Sequence, residues 1–245
     1  MNNISLITYT NSVMKDAWPI YFGQLNEHLI KIKSYVFSNI DDESFDNHIY
    51  LKYNNDDPYF KQYLGCIKDV DNDYVIYAQE DFFLYGDVTL ESLQKYCQFL
   101  KDTDYSFVRL IRAGYKTPLD NHISDDLYEV DINSNDAFTM QATLWKKNRL
   151  IDLYSHTESE KWYEGDAWNA SCRELNIKGV LTYNGENKRG KFHYDSSVYP
   201  YTCTGINKGH WNMHQYELFL MEMFKKYNVS ASQRGVRVSD TKYIK

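Results

Sequence analysis

Within its first forty residues the chain changes hydrophobic period twice. Ile4 to Tyr9, in "MNNISLITYT", is a short β-prone run that Thr10, Asn11 and Ser12 close with turn and N-cap chemistry. From Met14 onward Trp18, Phe22, Leu25 and Leu29 recur at helical spacing, with Lys15, Gln24 and Glu27 outside the stripe. Tyr35-Val-Phe37 then reads as a second strand that ends at the acid pair Asp41 and Asp42. Strand, helix, strand in this order is the start of a parallel α/β sheet.

The alternation continues. Asn54 to Pro58 is a polar turn that starts a helix near Tyr59, and Tyr74 to Ala78 is continuously apolar, as a strand covered on both faces should be. Leu90, Leu93, Cys97 and Leu100 mark the helix that follows. "YSFVRLIRAG" and "LYEVDI" read as strands around a polar loop, Tyr115 to Asp126. "AFTMQATLWKK" reads as a strand running into a helix, Asp166 to Leu175 as a helix, "GVLTY" as a strand and Asn184 to Gly190 as a turn-rich loop. The last helix carries Phe219, Leu220, Met223 and Phe224, and the tail after Asn228 is expected to be loose. With no repeat and no linker, 1–245 is read as one domain, long enough to bury a substantial core.

A net charge of -7 argues against attachment to nucleic acid or anionic lipid, which needs clustered Lys and Arg. The N-terminus has only a short apolar run and no basic leader, so it reads as a first strand and not as a signal peptide. No window has the length of a membrane span, and a cytoplasmic location is the resulting expectation. Cys66, Cys97, Cys172 and Cys203 are too scattered for a zinc ribbon or a redox motif and read as reduced and structural. The 23 tyrosines offer stacking faces for sugars, although an AT-rich coding sequence explains them as well.

The informative stretch is "DYVIYAQEDFFLY", which sets Glu80 and Asp81 between an apolar run and an aromatic one. Gln79, Glu80 and Asp81 fall at the carboxyl end of a buried strand, where open α/β sheets bind ligands. Adjacent carboxylates beside Phe82 and Phe83 repel each other and lose hydration, so something must compensate them. A divalent cation is the simplest candidate, since oxygen ligands suit Mg²⁺ and Mn²⁺. The plain alternative is a capping or turn pair that faces water.

The order of a first strand "ISLITYT", a strand ending in "QEDFFL", a later strand "FTMQATLWKK" and a "YEGDAW" segment resembles the GT-A glycosyltransferases, over Ile4 to about Trp211. The resemblance implies a Rossmann-like GT-A domain with a mainly parallel central sheet. It would have a nucleotide-sugar-binding half at 1–110 and an acceptor-binding half at 111–228, and would move a hexosyl group from a nucleotide diphosphate sugar to a hydroxyl of a glycan or other acceptor. In that family an Asp-x-Asp motif holds the metal against the diphosphate. Here Gln79 stands at the first acid, Glu80 between, and Asp81 at the last, the position that in the family is normally the direct ligand. Thr8, Tyr9, Thr10 and Asn11 would contact the nucleotide, and Asn39, Asp41 or Asp42 the uracil or ribose.

Glycosyl transfer builds negative charge on the departing diphosphate. A metal at Asp81 would neutralise it, helped by Lys208, Arg189 or Lys191, each of which is otherwise an ordinary solvated charge. "TGINKGHW" resembles the C-terminal loop that closes over the donor, with His210 and His193 as candidate further ligands and Trp211 and Tyr201 as candidate stacking faces. On the acceptor side, "EKWYEGDAWNASCREL" combines Glu160, Glu164 and Asp166 with Trp162, Tyr163 and Trp168; rings stack on sugars while acids bind hydroxyls. Family resemblance makes Asp166, with Glu164 in reserve, the base that takes the acceptor proton, and Trp162 and Trp168 the acceptor platform. Gly165 places Asp166 at or near a helix N-cap, so capping is its ordinary role. Two rivals remain: a non-catalytic carbohydrate-binding or surface domain, and a nucleotidyltransferase. Against the latter, "TYTNSVMK" lacks a Gly-rich phosphate loop.

Overall fold

The computed structural model describes residues 3–29, 31–113, 119–157, 165–189 and 193–244. In chain order the elements are β1 (Ile4–Tyr9), α1 (Trp18–His28), β2 (Lys33–Ser38), β3 (Ile49–Lys52), α2 (Tyr59–Ile67), β4 (Tyr74–Gln79), α3 (Leu90–Asp102) and β5 (Phe107–Arg109). There follow β6 (His122–Ser124), β7 (Leu127–Val130), β8 (Thr143–Lys146), α4 (Lys147–Thr157), α5 (Asp166–Glu174) and β9 (Gly179–Thr182). Beyond these come β10 (Lys188–Arg189), β11 (His193–Tyr194), β12 (Ile206–Asn207), β13 (His210–Trp211), α6 (Met213–Tyr227), β14 (Val236–Arg237) and β15 (Tyr243–Ile244).

Among the described residues nine strands form one sheet in the order β3-β2-β1-β4-β8-β5-β9-β7-β6. β3, β2, β1 and β4 are mutually parallel, and the β5–β9 ladder is parallel as well. β8 enters between β4 and β5 antiparallel to both, with Tyr74 opposite Lys146 and Phe107 opposite Trp145. The protein is therefore mixed α/β with a mostly parallel central sheet. The short edge strand β3 and the direction of β8 are additions to the sequence reading.

Period-two alternation divides the strand side chains between two cores. Leu6, Val36, Ile76, Ala78 and Val108 pack toward α1, α3 and α6, where Trp18, Phe22 and Leu25 carry the α1 stripe. Ile7, Tyr35, Phe37, Val75, Tyr77 and Trp145 pack toward α2, α4 and α5. Sheet residues of β4 are thus covered on both sides, which is why Tyr74 to Ala78 reads as an unbroken apolar run.

The segment after Asn228, expected to be loose, is folded. Asn228 ends α6 in the left-handed conformation, φ 53°, and β14 and β15 join β12 and β13 in a four-stranded sheet. Its strands are two residues long and carry no hydrophobic run. Distant partners order it: Trp211 N–H donates to the Gly235 carbonyl, and Arg234 pairs with Asp16.

Candidate active site

From β1 the chain moves to β2 and β3 on one side and then places β4 on the other. The carboxyl ends of β1 and β4 therefore flank a topological switch point, the crevice in which open α/β sheets bind ligands. Glu80 and Asp81 follow β4 directly and are half-buried there, in a turn closed by the Phe82 N–H to the Gln79 carbonyl at 3.1 Å.

Asp81 is clamped from above. Its carbonyl accepts from the Gly205 N–H at 3.1 Å and the Thr202 hydroxyl at 3.0 Å, and its Oδ2 accepts from the Ile206 N–H at 3.4 Å. Phe83 N–H donates to Thr202 Oγ1 at 3.0 Å, Thr202 N–H returns to the Phe83 carbonyl at 2.9 Å, and Tyr85 N–H reaches the Pro200 carbonyl at 3.0 Å. "DFFLY" thus lies against residues 200–205. Glycine is required at 205, since a Cβ there would stand 2.4 Å from Phe83 Cε2 and 2.6 Å from the Asp81 carbonyl oxygen.

Burial, and for Glu80 also the neighbouring Asp81 charge, holds both carboxyls well above their ordinary range, Glu80 up to about 8 and Asp81 up to about 7. Arg234 opposes both shifts. Its guanidinium donates from Nε to Asp16 Oδ2 at 2.7 Å and from Nη2 to Asp16 Oδ1, and it lies 5.3 Å over the Trp211 ring. With side-chain exposures of 10% and 13%, the Arg234–Asp16 pair is largely withdrawn from solvent, unlike an ordinary surface bridge. Sequence reasoning missed this arginine because it lies in the segment read as a loose tail.

On the β1 side the expected nucleotide contacts divide. Thr8 and Thr10 are buried, Thr8 Oγ1 bonded to Tyr21 Oη at 2.8 Å and Thr10 Oγ1 accepting from Trp18 Nε1 at 2.7 Å. Both hydroxyls, expected among the donor contacts, are engaged by these buried partners. Tyr9 is half-buried, stacked on Tyr53 with ring centroids 5.2 Å apart; its hydroxyl donates to Gln62 Oε1, and burial pushes it up to about 12. Asn11 Oδ1 accepts from the Val13 N–H at 2.9 Å, and Asn39 Oδ1 accepts from the Ser12 N–H at 2.9 Å, tying the ends of β1 and β2 together. Asp41 is exposed beside them, whereas Asp42 pairs with Lys15 at 2.7 Å. Gln79, at the first acid position, donates to Tyr77 Oη at 2.9 Å.

The C-terminal residues also divide. Lys208 and Gly209, φ 50° and 78°, form the tight turn between β12 and β13, with the Lys208 side chain exposed. His210 Nδ1 bonds the Lys208 carbonyl at 2.9 Å and its ring packs 4.8 Å from Tyr243. Among the described residues no three His, Cys, Asp or Glu side chains converge, so His210 does not complete a ligand set with Glu80 and Asp81. Arg189 is engaged by Asp195 through Nε at 2.6 Å and Nη2 at 3.2 Å. His193 contributes its backbone to β11; its side chain, like Lys191, lies outside the described residues. Tyr201 and Trp211 are buried and present no stacking face; Tyr201 Oη instead donates to Gln141 Oε1 at 2.8 Å.

Gly165 is the N-cap of α5 and makes no side-chain cap bond, so Asp166 occupies the first helical position, exposed. α5 leads into β9, which runs in the direction of β4, so its N-terminus opens on the same edge of the sheet as Glu80 and Asp81. Trp168 corrects the acceptor platform: it is 1% exposed, stacked on Phe138 at 4.9 Å and met edge-on by Tyr154 at 4.8 Å. Glu160, Trp162, Tyr163 and Glu164 lie outside the described residues.

Glu80 and Asp81 set two half-buried carboxyls side by side at a strand end, oxygen ligands of the kind that Mg²⁺ takes together with substrate phosphates. No helix among the described residues is long and apolar enough to cross a membrane.

No protein-family model matches the chain, and no curated protein matches it. Among solved structures it is similar to TarS of S. aureus, at 12% identity over 79% of this chain and 36% of that one, TM-score 0.49. It is similar to the glycosyltransferase GlyE of Streptococcus pneumoniae, at 14% identity over 71% of this chain and 43% of that one, TM-score 0.44. A nucleotidyl transferase from Methanothermobacter matches at 10% identity over 75% of this chain and 89% of its own, TM-score 0.46. The chain spans less than half of the first two. The likeness to a glycosyltransferase and to a nucleotidyl transferase is one of fold.

Proposed function

We propose that the chain is a glycosyltransferase that takes a nucleotide diphosphate sugar at the β1–β4 switch point and passes the sugar to a hydroxyl of a glycan or other acceptor. The observation that carries this reading is the Glu80–Asp81 pair: two carboxylates desolvated together at a strand end and roofed by 202–206. Such an arrangement is costly unless a ligand set uses it. Asp81, with Glu80, would hold Mg²⁺ or Mn²⁺, which when bound supplies positive charge to the leaving diphosphate. Arg234 adds fixed positive charge to the same carboxylates. Tyr9, Asn11, Asn39, Asp41 and Gln79 form the rim available to the nucleotide.

In the transfer, the Asp166 carboxylate takes the proton of the acceptor hydroxyl. The acceptor oxygen forms the new bond to the anomeric carbon, and the bond from that carbon to the diphosphate oxygen breaks with its electron pair leaving on the diphosphate. Asp166 suits this role because it is exposed at the first position of α5. The test is thermal stability and calorimetric titration with nucleoside diphosphates and triphosphates, with and without Mn²⁺, since a ligand of the folded state raises its stability. Diphosphate binding that weakens in Asp81→Asn supports the proposal; a preference for triphosphates would assign a nucleotidyltransferase instead.

A further inference from the structure

The turn that follows β9 carries the chain's one Asn-Gly pair, Asn184-Gly185, in the stretch "TYNGENK". Both residues are exposed, and Gly185 has φ 79°, the left-handed value that such a turn uses. A Cβ at 185 would meet nothing within 4 Å, so the space around this backbone is open. Among the described residues neither the Asn184 carboxamide nor the Gly185 N–H makes a hydrogen bond. Asn11, which precedes Ser12, is different: its Oδ1 accepts the Val13 N–H at 2.9 Å, and a reaction there must first break that bond.

We propose that Asn184 is a site of spontaneous deamidation by water, and that its conversion releases Ser197, at the start of the segment over the candidate active site, from Glu186. Asparagine is a thermolabile side chain, and here both reacting groups are unbonded and a neighbour without a side chain leaves the approach clear. The Gly185 nitrogen gives its proton to a solvent base and attacks Asn184 Cγ. The carboxamide C–N bond then breaks, and its nitrogen leaves as ammonia with a proton from solvent. Water opens the resulting five-membered imide at either carbonyl, giving aspartate or isoaspartate. In sum, asparagine and water become a carboxylate and ammonium, and nothing is oxidised or reduced.

The consequence follows from Glu186. Its Oε1 accepts from the Ser197 hydroxyl at 2.6 Å and the Ser197 N–H at 3.3 Å, while Oε2 accepts from the Asn184 N–H at 2.6 Å. Ser197 in turn begins the segment that runs along 83–89. Its carbonyl accepts from Thr89 Oγ1 at 3.1 Å, the Val198 carbonyl accepts from the Thr89 N–H at 3.0 Å, and the pairing continues to Gly205 over Asp81. A new carboxylate at 184 repels Glu186, and isoaspartate lengthens the turn by one backbone atom. Each change weakens the hold of Glu186 on Ser197.

The full chain is incubated near pH 8, folded and, as the reference, unfolded in guanidinium chloride, and conversion at Asn184 is followed by peptide mapping with mass spectrometry. A site that must open before it reacts is slowed by its free energy of opening. Asn184 should convert in the folded protein within about tenfold of its unfolded rate, an opening cost below about 1.4 kcal/mol. Asn184→Asp supplies the charge alone, and in it the Ser197 amide should exchange hydrogen about two- to fivefold faster than in the parent chain, the scale of a surface charge contact. Retardation of Asn184 beyond about tenfold would overturn the modification. A Ser197 amide that exchanges at the parent rate would overturn the release from Glu186.

Discussion

Glu80→Gln should make the protein more stable at alkaline pH and leave it unchanged at acid pH. In the folded protein burial first, and the Asp81 charge second, push the Glu80 carboxyl from its ordinary 4.5 up to about 8. The folded state therefore binds a proton that the unfolded chain has released, and stability falls as pH rises from about 4.5 through about 8 and is flat above. A tenfold change in proton affinity is worth about 1.4 kcal/mol. Because the pair is only half-buried, solvent screening reduces the full value, and the penalty is set at about 2 kcal/mol. Glutamine keeps the shape and carries no charge, so the variant escapes this penalty.

The assay is thermal unfolding followed by circular dichroism across that pH window. Near pH 5 the two proteins should melt together; near pH 8.5 the variant should melt higher by about 4–8 °C, at about 2–4 °C per kcal/mol for a chain of this size. Equal melting at both pH values would mean that Glu80 is well hydrated and carries no penalty. A variant less stable at high pH would mean that the carboxylate makes a net favourable contact, and the reasoning from desolvation would be refuted.

Asp166→Asn should leave nucleotide affinity unchanged and reduce turnover on the order of 10²-fold or more, with a stability loss of at most about 1 kcal/mol from the helix dipole; steady-state kinetics beside a melt measures both. Gly205→Ala should cost about 1–3 kcal/mol, since its Cβ meets Phe83 and the Asp81 carbonyl, and should weaken nucleotide binding in the same calorimetric titration. Arg234→Met should cost about 3–5 kcal/mol by stranding Asp16, and adding Asp16→Leu should recover part of it, which a double-mutant cycle by denaturant unfolding will show. Asp81→Asn should abolish any stabilisation by Mn²⁺ plus nucleoside diphosphate in a thermal-shift measurement while the apo protein stays folded.

What was legible in the sequence follows from local rules. β1, β2 and β4 announce themselves by apolar runs, and α1 by its Trp18–Phe22–Leu25 stripe. Glu80 and Asp81 stand where a run ends, so their place at a strand terminus needs only the sequence. Strand direction is not local: nothing in "TLWK" distinguishes an antiparallel β8 from a parallel one. Nor is the direction of Thr8 and Thr10, because every β1 residue through Thr8 is buried and alternation has no polar side to set its phase. Arg234 was invisible for a third reason. Its partner Asp16 is 218 residues away, and each is a single charge that looks solvated when its own stretch is read alone.

The correction at Trp168 bears on Asp166 itself. Residues two apart on a helix point about 200° away from each other, so only one of them can face the core. The rotation of α5 is fixed by Trp168 against Phe138 and by Asn169, whose Oδ1 accepts from the Phe138 N–H at 3.0 Å and whose Nδ2 donates to the Asn135 carbonyl at 2.9 Å. With Trp168 and Asn169 turned inward, Asp166 is turned out at the first turn, which accounts for its exposure. A Trp168 that stacked on an acceptor would have rotated Asp166 away from the mouth. With its indole in the core Trp168 offers no face to an acceptor, while Asp166 is left exposed at the start of α5.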